Sequence, residues 1–192
     1  MSLHTSGSQT VGPFFRIGLE PMFIPNVATP ETPGEHVTIR GRVLDGDGNP
    51  VPDAILETWQ ADAAGVYPAF DDAQSAEEAA FRGFGRVPTD DAGWFSLSTI
   101  KPGRVAGPGD SLQAPHLVVL VYMRGLLIHL VTRMYFPDEP SNADDAVLQL
   151  VPADRRHTLI ARRPSAEDNL SANTVLWDIH LQGDEETVFF DA

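Results

Sequence analysis

Apolar and polar residues alternate along Val37-Thr-Ile-Arg-Gly-Arg-Val-Leu, the period of a strand with one buried face, and Asp45-Gly-Asp-Gly-Asn-Pro closes that run in a turn. Ala54 to Gln60 supplies a second strand, and Gly93 to Ile100 repeats the alternation. Leu117 to Met123 is almost continuously apolar, the pattern of a strand covered on both faces. In the run Leu126 to Phe136, the even positions Leu126, Ile128, Leu130, Met134 and Phe136 are apolar, broken by Thr132. The other face carries Leu127, His129, Val131, Arg133 and Tyr135. Thr174 to Gln182 closes the set, with Val175, Trp177, Ile179 and Leu181 on one side. Sixteen glycines and sixteen prolines, spread along the chain, cut it into short runs that leave little room for long helices. Short strands at this spacing predict an all-β sandwich or barrel. Two helical insertions are predicted: Ser75 to Phe81, where Ser75 and Glu78 form a capping box, and Ser141 to Leu150.

A length of 192 residues suits a single domain, with residues 1–36 as an N-terminal arm and 37–192 as the β-sandwich core. Within the arm, Thr10-Val-Gly-Pro-Phe-Phe is apolar, bears a turn and must pack on something. A terminal strand on its own sandwich is at least as natural an arrangement as contact with another chain. Thirteen Lys and Arg against 27 Asp and Glu leave a net charge of −14, which argues against nucleic acid or an anionic membrane as partner. The absence of cysteine excludes disulfides, zinc–thiolate sites and iron–sulfur clusters and suits a reducing cytoplasm. The start MSLHTSGSQTVGPFF lacks a secretory pattern. The longest apolar stretch, Leu117 to Val131, is interrupted by Arg124 and His129 and falls short of the ~20 residues of a membrane helix. A soluble, cytoplasmic protein is expected.

Most motif matches dissolve on inspection. Asp45-Gly-Asp-Gly-Asn-Pro begins like a calcium loop, but Pro50 stands where glycine is required and Leu56 where the bidentate Glu belongs. Asn169-Leu170-Ser171 fits a glycosylation sequon without a signal peptide to make it meaningful. Nucleophile elbows and phosphate-cradling loops are absent, and acidic pairs such as Asp71-Asp72, Glu77-Glu78 and Asp144-Asp145 read as solvated faces. The six histidines form no close pair, so a metal site would have to gather ligands from separate strands among Tyr67, His116, Tyr122, His129 and His180. Any one of them is more often a hydrogen-bonded core or interface residue. Arg133 is more pointed. A guanidinium among apolar and aromatic neighbours requires an anionic or carbonyl partner or an exit to solvent, and a salt bridge is its commoner fate.

Three segments in order, Gly41 to Tyr67 (with LETWQAD and GVY), Asp90 to Gly103 (with GWFSLSTIKPG) and Ala114 to Gly125 (APHLVVLVYMRG), resemble the intradiol ring-cleavage dioxygenases. The resemblance implies a β-sandwich of intradiol dioxygenase type with short helical insertions and an N-terminal arm. In that family two tyrosines and two histidines hold a ferric ion. The first tyrosine, after Trp-Gln-Ala, matches Tyr67; the second, shortly after Ile-Lys-Pro-Gly, falls at Val105; the His-x-His pair falls at His116 and Val118. The pattern is that of the iron-free α subunits of two-chain members, with no metal ligand set on this chain. Fe(III), catecholate binding and O2 chemistry would then belong to a β subunit paired with α by a pseudo-twofold relation. The substrate class implied is 3,4-dihydroxybenzoate, opened to 3-carboxy-cis,cis-muconate in aromatic catabolism. Thr10, Gly12, Pro13 and Arg133 are the substrate-binding residues that the resemblance carries over, Arg133 being also the catalytic one. Two other readings stay open: a homomeric intradiol enzyme with unusual ligands, and a non-enzymatic transthyretin-like sandwich, which shares the G-x-V-x-D-x-x-G-x-P-V-x-x-A hairpin.

Overall fold

The structure is a computed structural model and describes residues 5–70 and 79–191. Alternation in the longest strand, β1 (His36–Leu44), buries Val37, Ile39, Gly41 and Val43 and half-exposes the residues between them. A long run with one apolar face needs partners on both edges, and it finds them. β4 (Trp94–Ile100) pairs antiparallel with it along its length, His36 opposite Ile100 and Arg42 opposite Trp94. Along the other edge run β9 (Thr174–Leu176) and β10 (Ile179–His180), both parallel to β1.

A second sheet has the order β3 (Phe84–Pro88), β2 (Ile55–Trp59), β7 (His116–Tyr122), β8 (Leu130–Tyr135), all antiparallel. A two-stranded hairpin, β5 (Val105–Ala106) with β6 (Leu112–Gln113), stands beside it. The inner faces enclose one core of Ile39, Val43, Leu56, Val87, Leu97, Leu117, Val119, Met134, Val175 and Ile179, and the Trp177 Nε1 donates to the Thr158 carbonyl at 2.9 Å. The expected all-β sandwich with short helical pieces is what forms, and among the described residues no helix is long and apolar enough to cross a membrane.

The break between β9 and β10 has a cause in sequence. At Gly41 the Trp177 backbone closes on β1, its N–H donating to the Arg40 carbonyl at 2.9 Å. A Cβ at position 41 would lie 1.7 Å from the Trp177 carbonyl oxygen, so only glycine leaves room there.

Several expectations are corrected. β7 alternates between buried and half-buried residues instead of being covered on both faces, because the outer side of its sheet is open. Leu126 to His129 is a turn leading from Gly125 (φ +96°), so the strand starts only at Leu130 and leaves Leu127 and Ile128 60% and 73% exposed. The Thr10 to Phe15 segment is not a strand: Gly12 caps, and Pro13 opens, the helix α1 (Pro13–Leu19), where the missing proline N–H costs nothing. Residues farther along the arm do lie on the sandwich, Ile24 bridging Arg86 and Asn26 bridging Ser98. Ser141 to Leu150 makes 3₁₀ turns at Pro140–Asp144 and Leu148–Leu150 and no α-helix. The predicted Ser75 to Phe81 helix with its capping box lies outside the described residues except for Ala79 to Phe81, which are not helical and end in a bridge between Phe81 and Ala28.

Gly41→Ala is therefore expected to destabilise the fold by more than about 2 kcal/mol, since backbone must move to admit one methyl. Gly18→Ala in α1, where an added Cβ meets nothing within 4 Å, should instead stabilise by about 0.5–1 kcal/mol. Denaturant midpoints of the two variants check the contrast.

Candidate functional site

The open face of the second sheet carries a row set by register: Trp59 opposite Val118, and Val118 opposite Arg133. The Tyr67 ring stacks on Trp59, centroids 5.9 Å apart and planes within 8°. The loop bearing Tyr67 is drawn to the start of β5. The Asp62 carbonyl accepts from Gly65 and Gly103 N–H, and a Cβ at Gly65 (φ +81°) would lie 2.0 Å from the Arg104 carbonyl oxygen. Val105 follows, paired with Gln113 across the hairpin. The circuit closes at Arg133, whose Nη1 donates to the Gln113 Oε1 at 2.7 Å and approaches the Tyr135 hydroxyl at 3.5 Å. The four positions marked by the resemblance all connect to this guanidinium: Val118 lies opposite Arg133 in register, Tyr67 and His116 lie within reach of its charge, and Val105 pairs with the Gln113 that binds it.

Behind the guanidinium stands a fully buried carboxylate. Asp145 Oδ1 accepts from the Tyr135 hydroxyl (3.0 Å) and the N–H groups of Val147 (3.0 Å) and Leu148 (2.7 Å), and Oδ2 from Ala114 N–H (2.7 Å). Ala114, Tyr135, Leu148, Val151 and Leu159 form a small apolar core around it. His116 Nδ1 donates to the Ala114 carbonyl at 2.7 Å, and its ring lies 5.7 Å from that of Tyr135. Burial pushes the His116 imidazole below its ordinary pKa, and Arg133 acts in the same direction against the opposing Ala114 carbonyl and Asp145. Burial raises the Tyr67 phenol while Arg133 pulls it back. Burial also raises the Tyr135 phenol, Asp145 adding to the effect and Arg133 opposing it.

A ferric ion in the family's arrangement does not fit these residues. Tyr67 and His116 keep a donor, whereas Val105 and Val118 present hydrocarbon, and the Arg133 charge acts on both donors that remain. Among the described residues no group of three or more His, Asp or Glu side chains could hold a metal ion. Of the other candidates, Tyr122 and His129 pair at the far end of the face, ring centroids 5.3 Å apart, and His180 belongs to the other sheet.

Thr10, Gly12 and Pro13 lie at that far end too. The Thr10 hydroxyl accepts from Gly125 N–H at 2.7 Å, Gly12 and Pro13 are exposed at the start of α1, and Phe15 packs 5.7 Å from Tyr122. Tyr122 is four residues along β7 from the partner of Arg133, roughly 13 Å of strand. The structure therefore places Arg133 and the arm at opposite ends of one open face and does not bring them together. Among the described residues Arg133 forms no salt bridge, the commoner fate of such a residue; its acceptors are the Gln113 amide and the Tyr135 hydroxyl.

Sequence reasoning missed Gln113, Tyr135 and Asp145. Asp145 was expected to be solvated with Asp144, but it is 0% exposed, because its donors come from three separate segments that no local pattern announces.

A family model described as Dioxygenase matches residues 23–183. The chain is 46% identical to the protocatechuate 3,4-dioxygenase alpha chain of Burkholderia cepacia, over 99% of this chain and 98% of that one. It is 43% identical to the alpha chain of Pseudomonas putida over 96% and 94% of the two, and 37% identical to the B. cepacia beta chain over 67% and 56%. Among solved structures, the dioxygenase domain of a carbohydrate-binding fusion protein from Streptomyces sp. SirexAA-E superposes with a TM-score of 0.60 at 29% identity, covering 83% of this chain and 87% of that one. The 3-chlorocatechol 1,2-dioxygenase of Rhodococcus opacus 1CP shares the fold, with a TM-score of 0.63 at 23% identity over 81% and 63%.

Asp145→Ala strands two buried backbone N–H groups, a half-buried third and one phenol and should destabilise by about 3–5 kcal/mol, against about 1 kcal/mol for Tyr135→Phe, which removes a single donor. The sign of the pH effect follows from the raised phenol. Folding favours the protonated form, so its contribution holds below the unfolded value near 10 and is lost as pH climbs past it. The alkaline decline of stability should be shallower in Tyr135→Phe, measured by denaturant titration across that window.

Proposed function

Because the chain belongs to the intradiol ring-cleavage dioxygenase family, we propose that it serves as the iron-free α subunit of a protocatechuate 3,4-dioxygenase. The observation that carries this reading is the circuit around Arg133, in which two ligand positions are valine and a cation stands among the four. Iron, catecholate binding and the oxygen chemistry belong in this reading to a β partner of the same family. The reaction of the pair joins 3,4-dihydroxybenzoate with O2 between its hydroxyl-bearing carbons, both oxygen atoms entering 3-carboxy-cis,cis-muconate. The arm (1–36) and the sandwich (37–192) act as one domain.

The open face offers the place for that partner. Phe14 and Ile17 on α1 are 82% and 56% exposed, and Leu127 and Ile128, exposed too, line a shallow hollow with Gln9 and Val11 of the arm. Exposed aromatic and aliphatic side chains in such a group mark a protein contact. Docking there carries Thr10, Gly12 and Pro13 to the rim of the partner's pocket, where they supply wall and no chemistry. Arg133, at the other end, has Nη2 and Nε without a hydrogen-bond partner in the described structure, and these are the donors we assign to the carboxylate of the aromatic acid.

Coexpression with a candidate β chain, followed by oxygen-uptake assays, tests the reading. Turnover of protocatechuate should require both chains, and an active, monodisperse single chain would contradict it. A charge-assisted bond to the ring carboxylate contributes about 1.5–3 kcal/mol, so Arg133→Ala in the assembled enzyme should lower kcat/KM for protocatechuate by roughly ten- to a hundredfold. Catechol, which lacks the carboxylate, should change much less; an equal fall for both substrates would remove Arg133 from the substrate site.

A further inference from the structure

We propose that the guanidinium of Arg133 takes the place of a metal in this chain: it is the fixed cation about which Tyr67, Val105, His116 and Val118 are arranged, and it keeps a metal out. This goes beyond the assignment of iron to a partner, because it concerns what fills this chain's own centre, whatever the outer edge of Arg133 meets. Four observations converge on it. Register sets Arg133 directly against Val118, one of the positions that lost its ligand. Gln113, paired with the second lost position Val105, supplies the amide oxygen that holds Nη1 at 2.7 Å. Arg133 acts electrostatically on the two residues that retain donors, Tyr67 and His116. Finally, Tyr135, anchored on the buried Asp145, fixes the guanidinium from behind.

The chemistry of the substitution is coherent. A metal centre organises its ligands by attraction to a compact positive charge, and an arginine, protonated at any pH a protein survives, supplies a permanent one. Two tyrosinates offset two of the three positive charges of a ferric ion; a single positive charge needs less. Here it rests on neutral acceptors, the Gln113 amide and the Tyr135 hydroxyl, with the Asp145 carboxylate one bond further back. A ferric ion introduced at the same place would be repelled by the guanidinium and would find only two donors.

Iron per assembled αβ pair provides the test. Wild type should hold one iron per pair. The double variant Val105→Tyr/Val118→His, with Arg133 retained, should also hold one, whereas adding Arg133→Gln should raise the content toward two with new tyrosinate-to-iron absorption. Two irons in the double variant, or one in the triple, would overturn the proposal; two in wild type would instead sink the α-subunit reading. A second measurement does not depend on rebuilding a metal site. Arg133→Ala should lower the Tm of the assembly, with methylguanidinium restoring most of the loss and neutral N-methylurea restoring none. No loss, or equal rescue by both, would equally overturn the proposal.

Discussion

One buried carboxylate orders the site. Asp145 has no contact with solvent, and it survives there because four donors from three segments converge on it. Those bonds tie the residue before β7's lead-in, the end of β8 and a 3₁₀ turn into a single unit, and they hold the Tyr135 hydroxyl at the back of Arg133. The guanidinium is in turn fixed from the β5–β6 hairpin by Gln113. Without the carboxylate, the N–H groups of Ala114, Val147 and Leu148 would be left unpaired and the hairpin, strand and turn would lose their common anchor.

In the proposed reading, this arrangement is how a family fold lacking its metal keeps from collapsing. A vacated metal site leaves donors that need a partner and a space that needs filling. Valine at 105 and 118 fills part of that space, being 5% exposed at Val105, and arginine brings the charge. The rest of the molecule is consistent with a chain that works beside another. Its sheet keeps one half-open face lined by Trp59, Val118, Leu120, Tyr122 and Val131, and its helix α1 presents Phe14 and Ile17 outward.

Legibility in the sequence followed how local each constraint was. β1 and β4 could be read because each has one buried face and the alternation lies within a few residues. Val175, Trp177 and Ile179 were correctly placed on one face, although the strand that carries them is broken where Trp177 crosses Gly41. β7 was misread for a physical reason: its outer residues are apolar because the sheet's open side is, and apolarity alone does not tell a face covered by its own chain from one left for another. Gly12-Pro13 held the signal for α1, a cap followed by proline, and it was overshadowed by the apolar run after it. At the site, Arg133 stood out as a cation on an apolar strand, and resemblance supplied Tyr67, Val105, His116 and Val118. Gln113, Tyr135 and Asp145 stayed invisible because their association exists only after the hairpin, β8 and the 3₁₀ turn have come together.

The central claim is that the cation at this chain's centre is an arginine and the metal belongs to the partner. Diffraction from crystals of the assembled pair, recorded above and below the iron absorption edge, tests it most directly. The account predicts one anomalous peak per αβ pair, on the β chain, with only the Arg133 guanidinium among Tyr67, His116, Val105 and Val118. An iron peak within bonding distance of Tyr67 and His116 would contradict it.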